Sequence, residues 1–324
     1  FRRLSGAAQA ELQLAAVHGR EIDFPVMRTV LALSEREALD ALDECIESNI
    51  LEETRDGYKF RHDLLREAIY QRLTRARRQT LHKQLAEALE GISGQPDANA
   101  EAIGRHFALS DEPYRAVGYL IDSGRRASAL YANEQAAALL EQALAIIRDH
   151  PHCVDPIATA SLRELLGDVE RRRGNAARSV ELFQEAYDAF LAAGDSEAAT
   201  RARGKAALGH IMLGRADMAK ELITATLRDL TEQSPSQVVS RTYYLLAQLH
   251  WHSGENRQAL EAAERSLVAA TAGGDEAELA QAYEVMALAC HSLGDWQRGV
   301  ELELERQAVA VPGFNIDEAF EAHL

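Results

Sequence analysis

The residues between Arg55 and Lys83 are of the type that meets phosphates. Nine Lys/Arg stand there against three Asp/Glu, in a chain of 324 residues with a formal net charge of −16. Arg75, Arg77, Arg78 and Lys83, with His82 among them, form the densest part. A DNA reader presents a basic face with base-contacting side chains on one recognition helix. Here the arginines fall in a connector beyond a β-hairpin, and Glu52, Glu53 and Asp56 would sit on the hairpin itself. Solvated helix faces, or contacts to a neighbouring module, account for the cluster more simply. The acidic balance of the whole chain points the same way, so direct binding of nucleic acid is not expected.

Other constellations are weaker. His150-Pro151-His152-Cys153 and His250-Trp251-His252 bring ligand-type side chains close in sequence. Structural zinc usually takes four ligands, and no second pair completes either set, so no metal site is expected. The second triplet reads better as the end of a helix, with Trp251 packing between repeats. The only Gly-Lys pair, Gly204-Lys205, lacks the earlier glycine and the hydroxyl of a GxxxxGK[ST] phosphate loop. The chain is therefore not expected to bind or hydrolyse ATP by itself, and no resident cofactor is expected. Spacing picks out no Ser-His-Asp or Cys-His arrangement; the chain reads as non-enzymatic, with no catalytic residues. The scattered carboxylates read as solvated helix faces, and Arg171, Arg172 and Arg173 as charges favourable to a helix C-terminus.

The elements that must position these groups are mainly helical. Seven prolines and heavy Ala, Leu, Glu and Arg usage favour helix. Cys45, Cys153 and Cys290 are odd in number and far apart, which argues against a disulfide framework and fits a reducing cytoplasm. No apolar run approaches the roughly 18–20 residues that span a bilayer. The chain starts at Phe1 and stops at Leu324 inside a helical pattern, and reads as a piece of a longer protein.

Gly174, Gly214, Gly254 and Gly294 recur every 40 residues. Seven residues before each stands Gly167, Ala207, Ala247 or Ala287; five after stands Ser179, Ala219, Ala259 or Gly299. Twenty residues after each glycine comes loop chemistry: Gly194-Asp195, Ser234-Pro235, Gly274-Asp275, and Phe314 beyond Pro312-Gly313. This pattern predicts a helical hairpin repeated in tandem, with glycine at the tight turn and small residues where helices approach. Leu245, Leu246, Leu249, Leu260, Ala263 and Leu267 give one unit its apolar spacing. Upstream, Tyr131–Ile147 reads as the second helix of an earlier unit, with Ala136 and Ala143 in small positions, and 102–127 as another hairpin.

Residues 1–92 differ. A helix ending at Gly19, a second in 23–33 and a third in 34–49 are expected, the last with Ser34 and Glu37 as a capping box. Short extended runs around Asp56-Gly57 signal a hairpin, and helices followed by a hairpin make a winged-helix module. Two more helices follow: Asp63–Leu73, with Leu64, Leu65, Ala68 and Ile69 inward, and 75–92, with Leu81, Leu85 and Leu89 on one stripe. Thr74 is the cap between them, and residues 91–99 are the linker to the repeats.

The repeat pattern, as in Ala247–Leu267, resembles tetratricopeptide repeats (TPR). The period is longer than that family's usual unit, implying longer helices, and most of the consensus aromatics are missing. Residues 1–90, quoted as "AAVHGREIDFPVM" and "LDECIESNILEETRDGYKFRHDLLREAIYQRLTRARRQTLHKQLAEALE", resemble the segment after the nucleotide-binding module in STAND-type bacterial signalling ATPases. These include the ATP-binding LuxR-family transcriptional regulators. Within it, "FRHDLLREA" is similar to the His-Asp motif of the superfamily's winged-helix domain. The resemblance implies that His62 contacts the phosphate of ADP held by the preceding module, with Asp63 capping the helix. An imidazole at a helix start could donate to a phosphate oxygen, helped by the helix dipole.

The expected fold is therefore mainly α: a winged-helix module with connector helices over 1–92, then a right-handed TPR-like α-solenoid over 93–324. The expected role is regulatory and cytoplasmic. The repeats would bind a small-molecule or protein effector, and the winged helix would couple it to an ATPase module that carries ATP or ADP in the parent protein. Effector binding would favour an open form able to homo-oligomerise, with transcription as the output. The alternatives are a plain interaction scaffold and the sensory part of a fused nucleotide cyclase or protein kinase.

Overall fold

The structure, a computed structural model, describes residues 4–19, 21–55, 57–92, 96–231 and 234–309. The chain divides into two compact units, Phe1–Val154 and Asp155–Leu324. The change of element type expected near residue 92 falls inside the first.

In the first unit, α1 (Gly6–His18) is capped by Ser5, whose hydroxyl accepts from the Ala8 N–H at 3.2 Å, and ends at Gly19. A two-residue strand, β1 (Glu21–Ile22), follows; it is too short to leave a periodic signal in sequence. Asp23 caps α2 (Phe24–Leu31), and the Ser34–Glu37 capping box opens α3 (Glu35–Glu47) as expected. Strands β2 (Leu51–Glu53) and β3 (Tyr58–Phe60) pair antiparallel, Leu51 opposite Phe60. Strand β1 joins the outer side of β3, giving the order β1-β3-β2. Asp56, at the expected turn, lies outside the described residues. Leu12, Leu14, Val26, Leu42, Cys45 and Leu51 are buried.

Helix α4 (Asp63–Arg72) corrects the sequence reading. Leu64 is 83% exposed, Leu65 and Ala68 are exposed, and no residue of the helix is fully buried. The helix turns the next 3–4 spaced set, Arg66, Ile69, Tyr70 and then Leu73, toward the unit. A shift of one residue turns a helix by about 100°, so apolar spacing alone did not settle the inward face. Helix α5 (Arg75–Ile92) behaves as expected: Thr74 Oγ1 accepts from the Arg77 N–H at 3.3 Å, and Leu81, Leu85 and Leu89 are buried. It continues through Gly91 and Ile92, and α6 (Pro96–Ala108) begins at Pro96. Helices thus take up 91–92 and 96–99 of the expected linker, and residues 93–95 lie outside the described set. After a short 3₁₀ turn, α7 (Ala116–Ala129) pairs with α8 (Asn133–Asp149), whose Ala136 and Ala143 are fully buried.

Among the described residues the second unit holds four helical hairpins: α9 (Pro156–Arg172) with α10 (Ala176–Ala192), α11 (Ser196–Met212) with α12 (Ala216–Asp229), α13 (Ser236–His252) with α14 (Asn256–Gly273), and α15 (Glu276–Leu293) with α16 (Trp296–Val309). The four turn glycines Gly174, Gly214, Gly254 and Gly294 have φ of +84°, +67°, +76° and +87°, a region that a Cβ disfavours. At Gly167 a Cβ would lie 2.5 Å from the Phe183 ring, so α9 and α10 approach through the missing side chain. Ala207, Ala247, Ala287, Ser179, Ala219 and Ala259 are buried at the equivalent contacts. Leu245, Leu249 and Ala263 are buried in one apolar cluster, against which Leu246, Leu260 and Leu267 pack. Phe314 and Pro312-Gly313 lie outside the described residues. This is the stacking of a TPR-like α-solenoid.

Candidate functional site

First helices stack on first helices in the second unit: α11 touches α13, and α13 touches α15. Their shared face lines a cleft of about 300 Å³. Its lining recurs at the 40-residue period: Glu197, Gln237 and Ala277 in one column, Arg201, Arg241 and Gln281 in the next, then Lys205 and Leu245.

Two buried glutamates pair with the cleft's basic residues: Glu278 lines it, and Glu164 stands behind Arg201 and Lys205. Glu164, on α9, receives Arg201 Nε at 2.8 Å and Arg201 Nη2 at 3.0 Å, a two-pronged contact, and Lys205 Nζ at 2.9 Å. Lys205 also reaches Asp168 at 2.5 Å. Burial works against the Glu164 charge, yet the hydrogen bonds and charges of Arg201 and Lys205 hold its carboxyl below the usual range. Glu278, on α15, is met more thinly. Its Oε1 lies 3.3 Å from Arg241 Nη1, which makes a closer contact of 2.5 Å with Gln281 Oε1. Burial, with Asp275 nearby, pushes the Glu278 carboxyl up; Arg241 and the Ser240 hydroxyl offset part of that. Asp275 is occupied as the cap of α15, accepting from the Ala277 and Glu278 N–H groups and from Gln237.

These carboxylates are not the solvated helix faces expected from sequence; Glu11, Glu164, Glu170 and Glu278 are all at least nine-tenths buried. Glu170 is taken up locally, by Arg173 and by Asn175 Nδ2 at 2.6 Å. Part of the cleft was marked in the sequence, since Arg201 and Arg241 share a register; their glutamates do not, one lying 37 residues before its arginine and the other 37 after.

In the first unit, His62 is exposed and caps α4 with extended backbone; its carbonyl accepts from the Leu65 N–H at 2.9 Å, and its side chain makes no capping bond. Asp63 is the first helical residue, where its charge favours the helix start. The basic stretch separates into unlike parts. Lys59 and Arg61 pair with Glu52 across the hairpin at 3.2 and 3.7 Å. Arg78 lies over the Tyr70 ring, Lys83 pairs with Glu112 at 2.5 Å, and Arg75 and Arg77 are exposed. His82 is a correction: it is buried, with Nδ1 2.9 Å from His106 Nδ1 and Nε2 3.3 Å from the Tyr70 hydroxyl.

His250 Nδ1 contacts Glu255 at 2.5 Å, and Trp251 Nε1 donates to Ser292 of the next hairpin at 3.2 Å, the inter-repeat packing expected of it. Among the described residues no group of three His, Cys, Asp or Glu could hold a metal ion, and no helix is long and apolar enough to cross a membrane.

No family model matches the chain. An uncharacterized protein of Rhizobium meliloti (strain 1021) is 31% identical over 145 residues, which is 43% of this chain and only 14% of that protein's length. Among solved structures, NprR in complex with its cognate peptide NprX has a TM-score of 0.54 at 12% identity, over 91% of this chain and 80% of that one. The apo form of the quorum sensor NprR from B. thuringiensis has a TM-score of 0.52 at 13% identity, over 85% and 77%. BtubC from P. vanneervenii has a TM-score of 0.51 at 18% identity, over 68% and 91%. The likeness to these proteins is one of fold.

Proposed function

We propose that the chain is the sensory part of a larger ATP-dependent transcriptional regulator, and that the cleft between α11, α13 and α15 binds a peptide or a protein segment as effector. The cleft carries this reading: it is concave, stands on rigid helices, and holds polar groups at the repeat period among apolar side chains. That NprR, which shares the fold, is described with a cognate peptide supports the peptide class.

The order α1-β1-α2-α3-β2-β3, with its small antiparallel sheet, supports the winged-helix assignment of the amino-terminal part. The exposed His62 at the start of α4 supports its role toward a phosphate on a neighbouring ATPase module. Effector binding then biases a two-state equilibrium between a closed, ADP-holding form and an open form. A plain interaction scaffold is the second reading, favoured by the cleft standing on repeats alone.

A random-peptide display library selected against the chain tests the cleft. Selected peptides are expected to lose at least about tenfold in affinity on Ala277→Trp, since an indole in the lining takes up much of a cleft of about 300 Å³ and the loss of about 1.4 kcal/mol of contacts is tenfold. No enrichment, or full affinity for the variant, contradicts the reading.

A further inference from the structure

The two buried glutamates that pair with the cleft's arginines differ in one respect. Both oxygens of Glu164 are met by Arg201, and one of them also by Lys205. Glu278 is 5% exposed, and its Oε2 has no hydrogen-bond partner. A buried carboxylate oxygen without a donor is unfavourable, and Glu278 is a lining residue of an open cleft. We propose that Glu278 seats the ammonium or guanidinium of a lysine or arginine side chain presented by the peptide effector; this rests on the peptide reading of the cleft.

The charge pattern selects a cation over a neutral donor or an anion. Arg201 and Lys205 are committed to Glu164 and Asp168 on α9, so the cationic side of the cleft is already neutralised. Arg241 contacts Gln281 more closely than Glu278. Asp275 adds negative charge beside Glu278, and residues 91–324 carry 35 acidic against 21 basic groups, a field that draws cations. Val238, Leu245 and Ala277 in the lining suit the methylene stem of a long basic side chain, whose charged end alone needs polar company. Because burial holds the Glu278 carboxyl in its protonated form to higher pH, a bound cation pulls that proton off, and affinity rises with pH through the titration.

The random-peptide library, selected in parallel on the chain and on Glu278→Gln, tests this. The expected result is one position enriched in Lys or Arg on the wild-type chain and not on the variant. Replacing that lysine with Nε-acetyl-lysine, in a single selected peptide, is expected to weaken wild-type binding about tenfold to a hundredfold, the range of a hydrogen bond to a charged group. The same replacement should leave binding to Glu278→Gln within about twofold. The acetyl-lysine comparison needs no altered protein, so it reads even if the variant folds poorly. Selected peptides with no basic position, or an undiminished basic preference on Glu278→Gln, overturn the proposal and leave the peptide reading standing. A library that yields no binder overturns both.

Discussion

His82 and His106 face each other through their Nδ1 atoms at 2.9 Å, inside the first unit, where α5 meets α6. One ring must donate and the other accept, so the two imidazoles cannot both be charged. Burial, then Arg105 and Arg78, pushes His82 down to about 4; burial, then His82, Arg105 and His18, pushes His106 down to about 3. Both folded values lie below the ordinary 6.5, so unfolding releases groups that take up protons first. Stability is full above about pH 6.5 and falls as the pH drops toward 4, by about 2 kcal/mol per imidazole at pH 5. The melting temperature of the first unit's transition should therefore fall between pH 7 and 5, and the double variant His82→Leu with His106→Leu should flatten that fall. An equal fall in the double variant contradicts the assignment.

Glu11 acts in the opposite sense. It is buried on α1, its Oε2 has no hydrogen-bond partner, and burial pushes its carboxyl from 4.5 up to about 7. Its folded value lies above its unfolded one, so its contribution is present below pH 4.5 and is lost as the pH rises through 7. Glu11→Gln should stabilise the chain by about 3 kcal/mol at pH 8 and change little at pH 4.5, as read by thermal melting. With this compensation removed, the variant's acid fall between pH 7 and 5 should also be steeper than wild type. A variant less stable at pH 8 would show that the carboxylate is held by favourable contacts.

Gly167→Ala separates helix propensity from packing. In an open helix the change is worth roughly 0.5–1 kcal/mol in favour of alanine. Here the new methyl meets the Phe183 ring at 2.5 Å, in a buried contact. Overpacking of this kind costs about 1–3 kcal/mol, so a net loss is expected in urea unfolding. A gain would mean that α9 and α10 separate without penalty.

His62→Ala tests the coupling proposed for the amino-terminal part. In a chain carrying the nucleotide-binding module, ADP should dissociate about tenfold faster, the lower range for one hydrogen bond to a charged group, and basal output should rise. An unchanged ADP off-rate removes His62 from the switch. The 324-residue chain should show no sequence-specific DNA complex at physiological salt; a tight one with a steep salt slope would move the basic stretch from ordinary surface to a DNA face.

The hairpins were legible because their turns demand a rare backbone: glycines at a 40-residue spacing sit at positive φ, and the small residues around them mark close helix approach. Caps were legible for a similar reason, since Ser34 and Thr74 each satisfy an N–H at a helix start. What sequence obscured was which polar residues lie inward. Leu64 and Leu65 have the spacing of a buried face and are exposed, whereas His82, standing in a basic run, is interior. Helix spacing fixes which residues share a face and leaves open what covers it. The Glu278 site depends on an arginine 37 positions away on the preceding first helix, a relation visible only once the repeat register is used to stack one first helix on the next.

Amide hydrogen exchange of the whole chain, with and without a selected peptide, tests the central claim most directly. Bound peptide should slow exchange in the first turns of α13 and α15, around Gln237–Leu245 and Ala277–Gln281, where the cleft is lined. Protection confined to the first unit, or to the second helices α12, α14 and α16, would contradict it.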